Sequence, residues 1–247
     1  MELLQKLFYV VLDMIFSSGM KKIFYLNTIY YMLSRFLLIM TKKDALMTTR
    51  QEIEHEAAIC RSLFEKKTRD YGTSWRVLRL PSLTDQILIK ANRIRSVQES
   101  GENLVGDDLR DEFVAMVNYA VMALIQQELE SVFSGQCSVS SDGFNPLNTQ
   151  HSTLNTNLEL PLEVAMKLYD KHLGRTIDLM MSKNHDYGEA WRQMRVSSMV
   201  DLILMKLRRI KQIEDNEGKT LVSEGVEGGY MDIVNYSLFC LVRTAEE

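Results

Sequence analysis

The sequence predicts an all-α fold made of two tandem units of three to four helices, packed as a pseudo-twofold helical bundle. Of the 28 residues from Lys67 to Ile94, 14 recur at a constant offset of 116, which is typical of a duplicated unit. Apolar residues recur at helical spacing, and no alternating strand pattern bounded by turns occurs. A unit of roughly 80 residues buries only a limited core, so we expect the two units to pack together.

The first 46 residues are richer in Phe, Tyr, Ile, Leu, Met and Lys than the rest of the chain. One interpretation is an over-extended start, since Met47 stands just before a well-formed helix start. A second is a membrane anchor, which needs about 20 mostly apolar residues, whereas the most apolar window, Ile23–Met40, contains Asn27 and Arg35. A third is a packed helical extension. A signal peptide is not favoured, because no small-residue cleavage site follows the apolar run.

The first repeat, residues 47–130, contains three predicted helices. The first begins at Thr48 or Thr49, and Gly72 fits the left-handed position just past its end. A short turn or helix carrying Trp75 follows. The helices are predicted from Thr49 to about Arg69, from near Ser82 to about Glu99, and from about Asp108 to Leu129.

The second repeat, residues 161–247, has the same organisation. Between the repeats, residues 131–160 are rich in Ser, Asn, Thr and Gly, a composition typical of a solvated linker. The predicted helices of the second repeat are Glu163–His185, Ser198–Glu214 and Glu227–Val242.

Charge and cysteine usage exclude several classes of protein. The formal net charge is −4, which argues against nonspecific nucleic-acid binding, because such proteins are usually basic. The three cysteines are scattered, which predicts a reducing, cytoplasmic compartment; membrane association would depend on residues 1–46 being genuine. No histidine pattern typical of zinc occurs.

Two aspartates recur three residues after a serine, Asp85 after Ser82 and Asp201 after Ser198. One interpretation is helix initiation, because this pattern is close to a capping box. The other is a carboxylate that holds a divalent cation or positions water.

A lysine and an arginine recur three residues apart on the second helix of each repeat, where they share one face. They can grip phosphate oxygens, or they can form a solvated cationic face. The residues are Lys90 and Arg93 in the first repeat, and Lys206 and Arg209 in the second.

A tryptophan flanked by arginines also recurs, as Trp75 with Arg76 and Arg79 and as Trp191 with Arg192 and Arg195. Such a ring can stack on a base while the guanidiniums hold its phosphates. The alternative is a core tryptophan with arginines that extend along the surface.

The third helix is where the repeats differ. Glu227 and Asp232 of the second repeat align with Arg110 and Ala115 of the first, at an offset of 117. An asparagine is kept in both repeats, as Asn118 and Asn235. Oxygen ligands from neighbouring helices suit Mg²⁺ bound to phosphates. The second repeat is therefore predicted to build a metal–phosphate site more completely than the first.

The ordered motifs K-x-x-D-Y-G-x-x-W, S-x-x-D-x-I-x-x-K-x-x-R-I and E-x-x-x-x-D-x-x-N-Y resemble the nucleotide modification associated domain family, present here as two tandem copies. The family is also similar to MazG and dimeric dUTPase-type all-α pyrophosphatases, which hold Mg²⁺ with carboxylates on neighbouring helices. The second helix of each repeat lacks the E-x-x-E pair usual in those enzymes. The resemblance also points to Asp70 and Asp186 of the D-Y-G motifs.

These observations predict a nucleotide-binding protein of nucleotide-pool or modified-nucleotide metabolism, with Mg²⁺-dependent pyrophosphohydrolase activity as the enzymatic hypothesis. The alternative is a non-catalytic nucleotide-binding or DNA-modification-associated module. The expected assembly is an intramolecular pseudo-dimer, with a homodimer of chains as a further option. Predicted metal ligands and catalytic residues are Asp201, Glu227 and Asp232. Predicted substrate-binding residues are Lys206, Arg209, Asn235, Trp191, Arg195, Asp186, Lys90, Arg93, Trp75 and Asn118.

Overall fold

A computed structural model describes residues 48–104, 106–133, 159–216, 218 and 225–245. Within these residues the fold is helical and contains no strand, as the sequence predicts. The six helices are α1 (Thr49–Tyr71), α2 (Leu80–Ser100), α3 (Leu109–Phe133), α4 (Leu162–Tyr187), α5 (Val196–Asp215) and α6 (Glu227–Ala245). Short 3-10 helices, Ser74–Val77 and Ala190–Gln193, follow α1 and α4. The three hypotheses about residues 1–46 concern residues outside this description.

The ends of the helices follow from particular residues. Asp108 caps α3, because its Oδ1 accepts a hydrogen bond of 2.9 Å from the Arg110 amide. Gly188 ends α4 with φ of +59°, and its N–H donates to the Asn184 carbonyl. A left-handed residue at this point is what glycine permits. Gly72 has φ of +61° just past α1, so both predicted helix stops are confirmed.

The capping-box interpretation of the S-x-x-D motifs is wrong. The N-cap residues of α2 and α5 are Arg79 and Arg195, and neither makes a side-chain capping hydrogen bond. Ser82 and Ser198 therefore lie inside the first turn. In α2 the helix starts before Pro81, which is tolerated there because the first amides of a helix have no intrahelical acceptor.

Helices of one repeat pack against helices of the other. α3 and α6 make the most extensive contact, α2 and α5 pack on them and on each other, and α1 packs against α4 and α6 as well as against its own α3. One hydrophobic cluster takes residues from all six helices. The predicted pseudo-twofold bundle is confirmed, and its core is shared between the repeats.

Two ion pairs mark the pseudo-twofold relation. Lys211 Nζ lies 2.5 Å from Asp85 Oδ1, and Arg95 Nη1 lies 3.6 Å from Asp201 Oδ1. Arg95 and Lys211 occupy equivalent positions at the offset of 116. The S-x-x-D aspartates therefore cross-link α2 and α5 from both directions.

No helix in the described part of the chain is long and apolar enough to cross a membrane.

Candidate functional site

The second repeat contains a cavity of about 170 Å³ between the end of α4, the middle of α5 and the start of α6. Among the described residues, three cations line it, one from α4 and two from α5, and one carboxylate from α6 lies beside them. These charged residues are Lys183, Lys206, Arg209 and Asp232. Cations therefore outnumber acids among the described lining residues.

The start of α6 contributes an acidic side chain and glycine backbone to the lining of this cavity. Asp232 Oδ2 lies 2.7 Å from Lys206 Nζ, and its Oδ1 lies 3.6 Å from Lys183 Nζ. Gly228 and Gly229 of the first turn and Gly225, just before the helix, also line the cavity. Because glycine has no side chain, the backbone at the start of α6 borders the cavity directly.

In the first repeat the equivalent lysine and arginine face a buried acid. Lys90 Nζ lies 3.0 Å from Glu112 Oε2, and Arg93 Nη1 donates to Glu112 Oε1. The Glu112 side chain is only 5% exposed. Its Oε2 accepts no directed hydrogen bond, so Lys90 acts on it as an ion-pair partner. Asp107 Oδ2 lies 3.9 Å from Arg93 Nη2.

The acid that contacts the recurring lysine lies one helical turn later in the second repeat than in the first. At the offset of 117, Glu112 aligns with Gly229, and Asp232 aligns with Ala115. A Cβ atom at position 229 would lie 2.9 Å from two side-chain carbons of Ile210, so a side chain there would require Ile210 to shift. Gly229 lines the cavity, so the cavity borders the position that aligns with Glu112 of the first repeat.

The three predicted metal ligands are not brought together. Asp201 is 64% exposed at its side chain and faces Arg95 across the pseudo-twofold axis, and Glu227 Oε1 lies 2.5 Å from Arg175 Nη1. Only Asp232 lines the cavity. In the described ranges, no three His, Cys, Asp or Glu side chains are grouped so that they could hold a metal ion. The arrangement does not fit the three-carboxylate magnesium centre expected from the sequence.

Both tryptophans lie in the core. Trp191 stacks on Phe239 with ring centroids 4.4 Å apart, and the Arg192 guanidinium lies 4.4 Å from the Trp191 ring centre. Trp75 is 9% exposed and packs at a tilt against Phe64. These contacts favour the core-anchor interpretation over base stacking, because protein atoms cover the ring faces.

The two recurring asparagines are buried, each 6% exposed, but they differ in partner. Asn118 Oδ1 accepts a hydrogen bond of 2.6 Å from the Tyr169 hydroxyl. Asn235 Oδ1 makes no hydrogen bond within the described structure. Ile53 stands at the repeat position of Tyr169, so the first repeat offers no equivalent hydroxyl.

Two predicted residues lie on the surface away from the cavity lining. Asp186 is 79% exposed and has its neighbour His185 at 3.3 Å. Arg195 is exposed at the N-cap of α5. Neither position favours a role in gripping a buried ligand.

Sequence reasoning missed Lys183 and Gly229 as site residues. Lys183 was visible as the first residue of the K-x-x-D-Y-G motif, but its approach to Asp232 depends on how α4 and α6 cross. The sequence also contained a signal for Gly229, because this glycine aligns with an acid, Glu112, in the other repeat.

Near the cavity, Tyr236 is half-buried on α6. Its pKa is raised, chiefly by burial and also by the nearby charge of Asp232, while Lys206 acts in the opposite direction. The charge of Tyr187, whose ring is 74% exposed, adds to the increase. Tyr187 thus lies within electrostatic reach of Tyr236.

A second polar cluster, missed from the sequence, joins the two repeats. Thr84 Oγ1 donates to Glu214 Oε1 at 2.7 Å, and the Tyr230 hydroxyl donates to the same oxygen at 3.1 Å. The pKa of Glu214 is raised, chiefly by burial. The positions equivalent to Thr84 and Tyr230 are Val200 and Phe113, so this cluster has no counterpart across the pseudo-twofold axis.

Comparison with known families finds the same domain in both halves of the chain. The model of the family described as nucleotide modification associated domain 1 matches the chain twice, at residues 67–127 and 183–244. The chain therefore carries two tandem nucleotide modification associated domains, each match beginning at the lysine of its K-x-x-D-Y-G motif. No curated protein and no solved structure matches the chain.

Proposed function

We propose that the protein binds a nucleotide through its phosphate groups at the cavity of the second repeat. The observation that carries the proposal is a cavity lined by three cations and one carboxylate, where the first repeat has a buried carboxylate on the equivalent lysine and arginine. The family described as nucleotide modification associated supports a nucleotide as the source of the phosphates.

The start of α6 adds to the attraction for anions. Tyr230 is the first residue of α6 whose amide donates to a carbonyl at the helix start, that of Val226. The preceding amides have no intrahelical acceptor, and the helix dipole places partial positive charge at this end. Gly228 has open space around the position of a Cβ atom. Backbone amides beside Lys206 are a recurrent way of binding phosphate.

The size of the cavity limits what enters it. Its volume of about 170 Å³ is smaller than the roughly 300–1,000 Å³ typical of pockets that enclose a whole ligand. Phosphate groups therefore occupy the cavity, and sugar and base lie outside it. The exposed ring of Tyr187 supplies a face on which a base can stack.

Asp232 competes with the ligand in this proposal. It holds Lys206 at 2.7 Å, so a phosphate oxygen that binds Lys206 must weaken this ion pair. Magnesium dependence, hydrolysis and similarity to the MazG-type pyrophosphatases stay predictions. Because the predicted carboxylates do not fit a three-carboxylate magnesium centre, no step through a metal ion is derived.

The test is calorimetric titration of the full chain with nucleoside and deoxynucleoside mono-, di- and triphosphates and with pyrophosphate. Each titration is run with and without Mg²⁺, and phosphate and pyrophosphate release are scored separately. We expect K206A to weaken binding at least about tenfold, since a charge-assisted contact contributes roughly 1.5–3 kcal/mol. Affinity should also fall as salt rises.

The matched control is K90A, which removes the equivalent lysine of the first repeat. It should leave nucleotide affinity unchanged within about twofold. Equal losses in K206A and K90A would place the ligand elsewhere. Absence of binding by every phosphate compound would end the proposal, and binding without release would favour the non-catalytic module.

A further inference from the structure

We infer that each chain takes one phosphate ligand, because Glu112 permanently occupies the equivalent place in the first repeat as a built-in anion. This inference rests on the proposed function for the identity of the ligand. It adds a second, closed anion site made by Lys90 and Arg93, and it assigns Glu112 the role of keeping that site closed.

The contacts of Glu112 are those of a bound anion. One carboxylate oxygen faces Lys90 at 3.0 Å and the other accepts from Arg93. The carboxylate is nearly fully buried, so water has little access to its oxygens. A planar, doubly contacted oxyanion is what a lysine and an arginine on one helix face can hold.

Charge explains why a dissolved phosphate does not enter the first repeat. Lys90 and Arg93 are balanced by Glu112 and Asp107, which gives these four side chains a net charge of zero. Glu112 is also tethered on α3, so its contact with the two cations is intramolecular and does not depend on the concentration of a dissolved ligand.

The residue that decides between the repeats is the one aligned at positions 112 and 229. Glycine at 229 leaves a cavity, and Asp232, one turn later, engages Lys206 but does not fill the space. Shortening Glu112 should therefore open the closed site to the same class of ligand, an inorganic phosphate or a phosphate ester.

The experiment titrates the full chain with inorganic pyrophosphate and measures stoichiometry by calorimetry. Wild type should bind one pyrophosphate per chain and E112A should bind two. The matched control D111A removes an exposed acid from the neighbouring position of the same turn and should still bind one. A wild type that binds two pyrophosphates, or a folded E112A that binds no more pyrophosphate than wild type, would overturn the inference.

E112A removes a buried partner from two cations, so folding is checked by circular dichroism and a second measurement uses wild type. Acetylation of lysines, with and without pyrophosphate, is read by mass spectrometry. Pyrophosphate should protect Lys206 and leave the reactivity of Lys90 unchanged. Protection of Lys90 in wild type would overturn the inference independently of any variant.

The two proposals fail in different ways. If wild type binds no pyrophosphate but E112A binds one, the proposed function at the second-repeat cavity is wrong and the role of Glu112 stands. If wild type binds one and the protected lysine is Lys206, while E112A still binds one, the proposed function stands and the closed site does not exist.

Discussion

The two repeats hold the same lysine and arginine, three residues apart on α2 and on α5, but treat them differently. In the first repeat Glu112 neutralises both from a buried position. In the second, Asp232 reaches the lysine from one turn further along α6 and leaves a cavity. The difference shows that a duplicated cationic pair serves packing or binding depending on where the third helix places its acid.

A second comparison concerns a buried polar position shared by α1 and α4. Glu56 of the first repeat aligns with His172 of the second. Glu56 Oε2 accepts a hydrogen bond of 2.7 Å from Arg110, and His172 Nε2 lies 2.8 Å from Glu128 Oε2. The two halves thus hold the same position with different side chains, a carboxylate in the first repeat and an imidazole in the second, and each lies against a polar partner on another helix.

The largest expected effect is on stability, from removing the cationic pair in each repeat. K90A/R93A leaves the buried Glu112 without a partner, and stability should fall by about 3 kcal/mol, since breaking a buried pair on one side typically costs that much. K206A/R209A leaves the more exposed Asp232 with Lys183 at 3.6 Å and should cost about 1 kcal/mol. Urea unfolding followed by circular dichroism measures both. Equal losses of stability in the two double variants would contradict the contrast between a buried ion pair in the first repeat and a cavity in the second.

The next prediction concerns the pH dependence of stability that arises from Glu128 beside His172. The His172 hydrogen bond, followed by that of Lys171, lowers the pKa of Glu128 from 4.5 to about 2. A carboxyl with a depressed folded pKa stabilises the protein above its unfolded pKa, and this contribution is lost as pH falls from about 4.5 to about 2. E128Q should therefore be less stable than wild type by about 2 kcal/mol at pH 7.

Chemical unfolding at a series of pH values follows this difference. The stabilities of E128Q and wild type should converge as the pH approaches 2. A constant difference over the whole range would show that Glu128 stabilises the fold through packing and not through its charge.

A smaller effect, about 1 kcal/mol, tests whether Asp232 opposes ligand binding. D232N removes the charge that competes for Lys206, so pyrophosphate affinity without Mg²⁺ should rise about fivefold. The control is D201N, which removes a charge at the α2–α5 contact and should leave affinity unchanged. Weaker pyrophosphate binding by D232N would mean that the Asp232 carboxylate helps to hold the ligand.

The smallest effect concerns the equivalent ion pairs between α2 and α5. Double-mutant cycles for Asp85 with Lys211 and for Asp201 with Arg95 should each give about 0.5 kcal/mol, because all four side chains are substantially exposed. A measurable coupling energy in only one of the two pairs would show that the equivalent contacts do not contribute equally to stability.

Much of the fold could be predicted from sequence, because helix periodicity and glycine stops are local signals. Gly72 and Gly188 marked the ends of α1 and α4 correctly. The starts of α2 and α5 were misplaced, because S-x-x-D resembles a capping box while the observed N-cap residues are arginines without a side-chain bond. Asp85 and Asp201 instead face Lys211 and Arg95 across the axis.

The sequence singled out Lys206, Arg209 and Asp232 of the second repeat, and these three line one cavity. That they form a functional site stays a prediction. Grouping Asp201 and Glu227 with Asp232 depended on sequence order and family resemblance. Neither fixes the direction of a side chain, and the structure gives Asp201 and Glu227 arginine partners elsewhere.

The sequence by itself determined the duplication, the helical class and the identity of the recurring residues, because these depend on spacing along the chain. The tertiary structure decided which acid reaches which lysine. An acid at position 112 and an acid at position 232 are one turn apart in the aligned repeats, and only the packing of α3 on α2 and of α6 on α5 makes the first a buried partner and the second the edge of a cavity.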